Sequence, residues 1–265
     1  MSYDVDKEMR LARLIAVINQ KGGVGKTTVA VNLGHALACA GQKVTLVDLD
    51  PQGQAAASLG HFRQPLRGVA DVLLGRADFA EVVMPSRERL DLVPAGVLLS
   101  TIEEQWAHEA SHGQWLKQVL EDQGRFADRD WVLFDCPPAS GVLSANAVRA
   151  VDEALTPVTG DYLGLSGLAH LAVFLKRSQG GRRRPLRHWI VLSRYYPRRK
   201  LTLEVEDRLR QHFPGQVLAT GIKEAVLLTE CPGVGQTILE YKPHSPSARE
   251  FLELAQDLSE GRVLR

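Results

Sequence analysis

Long apolar runs and paired cysteines are both missing from this 265-residue chain. No stretch of about 18 apolar residues occurs, so no segment is long enough to cross a bilayer as a helix. The first residues, MSYDVDKEMR, are polar and lack the apolar centre of a secretory signal. Three cysteines, Cys39, Cys136 and Cys231, lie far apart in the sequence and form no C-x-x-C pair. That excludes a disulfide framework and the common zinc spacings, and it predicts a reducing, cytoplasmic setting. What is present is ordinary for a soluble globular protein: 45% hydrophobic and 24% charged residues. A chain of this length buries about three-quarters of its unfolded surface and needs no staples.

Acidic residues are also missing from one long segment. None occurs between Asp161 and Glu204, yet Lys176 to Lys200 holds ten lysines and arginines. The net charge is +1, which leaves about −9 for the remainder. The expectation is a local basic surface on a mildly acidic protein.

The apolar run Arg13–Asn19 ends at a glycine-rich turn and reads as a buried strand. Thr27–Ala40 follows with helical spacing of Val29, Leu33 and Leu37, closed by Gly41. Lys43–Asp48 is the next strand, and strand–helix–strand order predicts a parallel sheet with right-handed crossovers. Further strands are expected at Leu90–Val93, Trp131–Asp135, Glu153–Val158, Trp189–Ser193 and Gln216–Leu218. Helices are expected at Val69–Leu74, Gly113–Asp122, Gly164–Arg177, Leu201–His212 and Ser247–Leu258. The reading is one doubly wound α/β domain over residues 13–265, its mostly parallel twisted sheet flanked by helices, behind a tail of residues 1–12.

The densest signal is NQKGGVGKTT, Asn19–Thr28, between the first strand and the first helix. Backbone N–H groups at a helix N-terminus wrap an anion, and glycine lets them approach closely. Lys21, Gly22, Gly23, Val24, Gly25, Lys26, Thr27 and Thr28 therefore form the candidate phosphate cradle. Lys26 is placed to reach the β- and γ-phosphates, and the Thr27 hydroxyl to ligate Mg²⁺. The strict G-x-x-x-x-G-K-[ST] pattern is broken by Gln20, and the loop carries a further lysine, Lys21.

NQKGGVGKTT resembles the deviant Walker A motif of the ParA/MinD superfamily of ATPases. LVDLDPQGQA (Leu46–Ala55) resembles that family's second motif and first switch, and LFDCPPASG (Leu133–Gly141) its Walker B strand and second switch. Weaker similarity continues through Leu155–Leu168 and Gly235–Leu258. The resemblance implies a P-loop fold, ATP and Mg²⁺ as cofactors, and hydrolysis of ATP. It implies that Lys21 reaches across an ATP-bound dimer to the partner's phosphates and that Lys26 and Thr27 hold phosphate and Mg²⁺. It further implies that Asp50 positions the attacking water and that Asp48 and Asp135 hold Mg²⁺. Independently, phosphoryl transfer needs cation clamps, a metal and a polarised water, which is what this residue set offers.

Within the superfamily, Gln20 and DLDPQGQA resemble ParA more than MinD or the nitrogenase iron proteins. The final SEGRVLR offers too few apolar positions for a membrane anchor. Cys136 is expected to be a packed small side chain, Cys39 a core residue and Cys231 the start of a Cys-Pro turn. The resemblance implies non-specific DNA binding by an ATP-bound homodimer and a ParB-like or cargo-adaptor partner, with no membrane and a nucleoid location. YYPRRKL (Tyr195–Leu201) falls where the family has a DNA-contacting patch, with Arg198 at a contacting position. The resemblance thus implies Arg198, Arg199 and Lys200 as DNA contacts, with Arg182, Arg183 and Arg184 as further candidates. Ile222–Thr229 departs from the family's I-P-x-N-x-x-L: Lys223 replaces the proline, Glu224 is acidic and Leu227 stands where an arginine is frequent. The short N-terminus argues against a preceding helix-turn-helix and favours the small ParA type. The alternatives are a MinD-like membrane regulator and a metabolic P-loop ligase.

Overall fold

The computed structural model describes residues 12–106, 114–138, 140–179 and 184–264. One sheet organises them. Its strands are β1 (Arg13–Val17), β2 (Val44–Asp48), β3 (Met84–Arg87), β4 (Leu90–Val93), β5 (Trp131–Asp135), β6 (Glu153–Thr159), β7 (Arg187–Tyr195) and β8 (Ile222–Lys223). They lie in the order β3-β4-β2-β5-β1-β6-β7-β8. Every pairing is parallel except β3 with β4, which is antiparallel at the edge.

Both faces of the sheet are covered, which is why its central strands read as continuous apolar runs. Along β1, Leu14 and Ala16 enter one core while Ile15 and Val17 enter the other. β5 divides the same way, Val132 and Phe134 against Trp131 and Leu133. The second core is closed by the helices Lys26–Cys39, Val226–Val234 and Pro246–Glu260. The first is closed in part by Val142–Ala150, Tyr162–Ser178 and Lys200–His212. The doubly wound fold expected from the sequence is therefore present.

Several elements differ from expectation. β3, MPSR, was not foreseen: it is short, polar and carries Pro85, as an edge strand can. Gln216–Leu218 is not a strand but supplies two isolated bridges, Val217 to Ile190 and Leu218 to Val263, and the far edge is the two-residue β8. Cys231 lies inside the helix Val226–Val234 rather than at a turn, and Cys39 is exposed rather than core. Cys136 is fully buried, as expected. The tail assigned to residues 1–12 lies outside the described residues apart from Ala12.

Candidate functional site

Register places the site. β1 lies at the centre, flanked by β5 and β6, and the chain leaves it in one direction for β2 and later returns on the other side. In such sheets ligands bind beyond the carboxyl ends of the strands, at that reversal. Val17 pairs with Asp135, and Asp135 with Asp48, so the phosphate loop and two acids emerge side by side.

The loop between Val17 and Lys26 turns through Gly23 and Gly25, with φ of +72° and +89°, conformations that side chains other than glycine's rarely tolerate. Asn19, buried, ties the loop to β6 by donating to the Pro157 carbonyl at 2.8 Å and accepting from the Lys21 N–H at 3.0 Å. The helix Lys26–Cys39 starts at Gly25 with no side-chain cap and no acid in its first turn. Its leading N–H groups are thus left for an anion. Lys26 is almost fully buried and donates to the Lys21 carbonyl at 3.4 Å. Burial pulls its ammonium below the usual lysine range, against the attraction of Asp135 and Asp50.

The acids divide the work. Asp48 is fully buried and accepts from the N–H groups of Asp50 (3.0 Å) and Ala55 (3.2 Å), fixing the first switch to the end of β2. Burial, with Asp135 beside it, raises its carboxyl well above the normal range. Asp135 is equally buried, and neither of its oxygens has a hydrogen-bond partner. Burial raises it to about 7, against the lowering pull of the neighbouring Thr27 hydroxyl and Lys26. An orphaned buried carboxylate beside a threonine hydroxyl and a phosphate loop suits Mg²⁺, which takes one or two protein oxygens and completes its shell with phosphate and water. Among the described residues no cluster of three or more His, Cys, Asp or Glu forms a metal cage by itself. Asp50 lies further out, half-buried, its Oδ1 accepting from the Gln52 N–H at 3.0 Å.

Gly23, Gly25, Lys26, Thr27 and Asp50 line a cavity of about 320 Å³ that also includes Ser193, Arg194, Glu224 and Leu228, with Asp48 and Asp135 buried behind it. Lys21 is not turned onto the phosphate cradle. Its ammonium rests 3.4 Å from both the Thr159 hydroxyl and the Asp161 carboxylate. Gly22 beside it is exposed, and a Cβ there would meet nothing within 4 Å.

The basic segment is not one patch. β7 runs from Arg187 to Tyr195, roughly 25 Å at strand rise, so Arg184 and Arg198 lie at opposite ends of the sheet. Arg182 and Arg183 lie outside the described residues. Arg198, Arg199 and Lys200 gather at the start of the helix Lys200–His212, all exposed, with Arg199 stacked 3.9 Å over Tyr196. Arg194, counted in the same segment, points back into the cavity. It donates to the Gly23 carbonyl at 2.6 Å and to both oxygens of Glu224 at 2.9 and 3.3 Å. No local motif announces that arrangement.

Fold and site together define a P-loop nucleotide-binding protein. A family profile described as an AAA domain matches residues 12–187. The sporulation initiation inhibitor protein Soj of Bacillus subtilis is 35% identical over 94% of this chain and 99% of its own length. The chromosome partitioning protein ParA of Caulobacter vibrioides is 35% identical over 93% of each chain. A crystal structure of cobyrinic acid a,c-diamide synthase from Mycobacterium smegmatis, with bound ATP analogue and magnesium, superposes with a TM-score of 0.79. It is 29% identical and covers 94% of this chain and 95% of its own. The chain belongs to the ParA/MinD family of P-loop ATPases. The cofactors of that family are ATP and Mg²⁺, and the donors described above fit both.

Proposed function

We propose that this protein is a ParA-type ATPase that closes into a sandwich dimer on binding ATP, holds non-specific DNA, and positions a cargo with a partner that stimulates hydrolysis. The observation that carries the reading is the loop's division of labour. Lys26 is buried against the cradle, while Lys21 sits on the exposed lip beside open Gly22 and its ammonium is not engaged in the cradle. A second lysine so placed, on leaving its contact with Asp161, can serve a neighbouring molecule's phosphates. In this reading Lys21 acts in trans, Lys26 clamps phosphate, Thr27, Asp135 and Asp48 hold Mg²⁺, Asp48 also anchors the switch, and Asp50 orients water. Arg198, Arg199 and Lys200 supply DNA contacts: their helix has no acid in its first turn, so its dipole adds to the positive field. Phosphate contacts of this kind need no sequence readout. The cargo, a plasmid, chromosome or protein assembly, is selected through a ParB-like or adaptor protein. The setting is the nucleoid in the cytoplasm, and among the described residues no helix is long and apolar enough to cross a membrane.

The test is retention of random-sequence DNA with Mg·ATP, with Mg·ADP as control. Retention with ATP alone supports the reading. Equal retention, or none, counts against it. The likeness to a diamide synthase makes a metabolic ligase the second reading, favoured by a protein that stays monomeric with ATP and ignores DNA. Sedimentation with anionic vesicles would instead favour a MinD-like regulator.

A further inference from the structure

Arg194 is an anomaly on three independent counts. Its φ is +52°, in the left-handed region that arginine normally avoids. It is also the extra residue of a bulge: Ser193 pairs with Ile222 and Tyr195 with Lys223, so two steps on β7 answer one on β8. Bulges of this kind bend a strand and re-aim a side chain. Finally, all of that re-aiming ends at the phosphate loop, where the guanidinium meets the Gly23 carbonyl at 2.6 Å. The stem follows it inward, its Cγ and Cδ lying 3.9 Å from where a Gly25 Cβ would stand.

Glu224 completes the device. Its two oxygens take the Nε–H and one Nη2–H of Arg194 at 2.9 and 3.3 Å, a forked contact that fixes the plane of the guanidinium. Glu224 stands between β8 and the helix Val226–Val234, which form the wall of the cavity opposite the loop. One side chain therefore ties the phosphate end of the cavity to its far wall. A strained backbone that persists beside a site is held there by such contacts.

We propose that Arg194 is a positioning residue of the nucleotide site: anchored by Glu224, it fixes the plane of the Gly23–Val24 peptide, and so sets how the loop presents its N–H donors to phosphate. The proposal rests on the cavity being the nucleotide site. Because the contact is to loop backbone, it predicts an effect on phosphate binding that is indifferent to the base. It also gives Glu224, an acid in a site built for an anion, a role as counter-anchor.

The test uses Arg194→Gly, which removes the clamp and at the same time relieves the positive φ. Competition against a fluorescent ATP analogue gives Kd for Mg·ATP and Mg·GTP, and a melting curve is recorded alongside. Both Kd values should rise about tenfold with their ratio unchanged, the loss expected when one charge-assisted hydrogen bond stops holding a binding loop. The melting temperature should hold or rise. Glu224→Ala should act in the same direction, and the double variant should be no weaker than Arg194→Gly alone. In turnover, KM should rise while kcat stays within twofold. Kd values within twofold of wild type would overturn the proposal. So would a loss confined to ATP, which would make Arg194 a base contact, or a loss matched by lower melting in both single variants, which would make the pair a brace. Failure of the wild-type protein to bind either nucleotide would instead sink the reading of the cavity.

Discussion

Lys21 and Asp161 meet at 3.4 Å, joining the phosphate loop of β1 to the start of the helix that follows β6. Asp161 also caps that helix, accepting from the Gly164 N–H at 2.7 Å. In the proposed dimer Lys21 must leave this contact to reach a partner's phosphates. Asp161→Asn keeps a capping oxygen and removes the charge. Both side chains are partly exposed, so the pair is worth at most about 1 kcal/mol. The ATP concentration at half-dimerisation should therefore fall by up to about fivefold, read by light scattering. An unchanged or higher midpoint would show that Asp161 does not restrain Lys21.

Gly22 tests the same interface from its other side. Since a Cβ at this position meets nothing within 4 Å, valine fits the monomer. It would nonetheless stand out from the lip against a closely approaching copy. Gly22→Val should bind Mg·ATP within about threefold of wild type and fail to dimerise on size exclusion. Full dimerisation would move the interface away from the loop.

Asp50 holds the Gln52 N–H in a local turn, so alanine would disturb both the carboxylate and the switch. Asparagine keeps the turn acceptor and loses the charge. Asp50→Asn should retain ATP and dimerise, with turnover reduced at least about 100-fold, the contribution typical of a positioned acid–base group. Wild-type turnover would assign the water-orienting role to another residue.

His188 supplies a pH dependence remote from nucleotide. It lies on β7, largely buried, with Nε2 2.9 Å from the Thr156 hydroxyl and its ring edge-on to Phe213. Burial lowers it from 6.5 to about 4. The folded state thus holds the neutral ring while the unfolded chain takes a proton below 6.5. Its contribution is present above 6.5 and is lost as pH falls toward 4, at up to about 1.4 kcal/mol per unit and roughly 3 kcal/mol in all. Urea midpoints of wild type and His188→Gln between pH 7 and 4.5 should converge as the pH falls. Parallel curves would show that His188 is not the group responsible.

What was legible in the sequence follows physical lines. β1, β2, β5, β6 and β7 are covered on both faces, so burial demands apolar runs that stand out. β3 is a polar edge strand, and β8 spans only Ile222 and Lys223, too few residues to show a period. The phosphate loop is a local code, because its chemistry depends on glycines and lysines adjacent in sequence. The clamp of Arg194 on Gly23 is not local. It depends on a bulge set by pairing with β8, some 28 residues on, and a sequence scan counts that arginine as surface charge. The ten cations read as one cluster for the same reason: adjacency in sequence hid the length of β7, which separates them.

That separation sharpens the DNA prediction. Arg198, Arg199 and Lys200 share the carboxyl end of the sheet with the nucleotide loop, where dimer closure would bring two copies of the trio together. Arg184 lies at the other end, roughly 25 Å away along β7. Arg198→Glu with Arg199→Glu should abolish ATP-dependent DNA retention and leave ATP-dependent dimerisation intact, because neither side chain lines the cavity. Arg184→Glu should cost little. Each phosphate contact adds about 0.9 to the slope of log affinity against log salt, so a dimer using several should release DNA steeply between roughly 50 and 200 mM salt. The measurement is that slope for wild type and both variants, with ATP and with ADP. A slope unchanged in the double variant, or lowered chiefly by Arg184→Glu, would place the interface at the opposite end of the sheet and uncouple it from nucleotide-driven dimer closure.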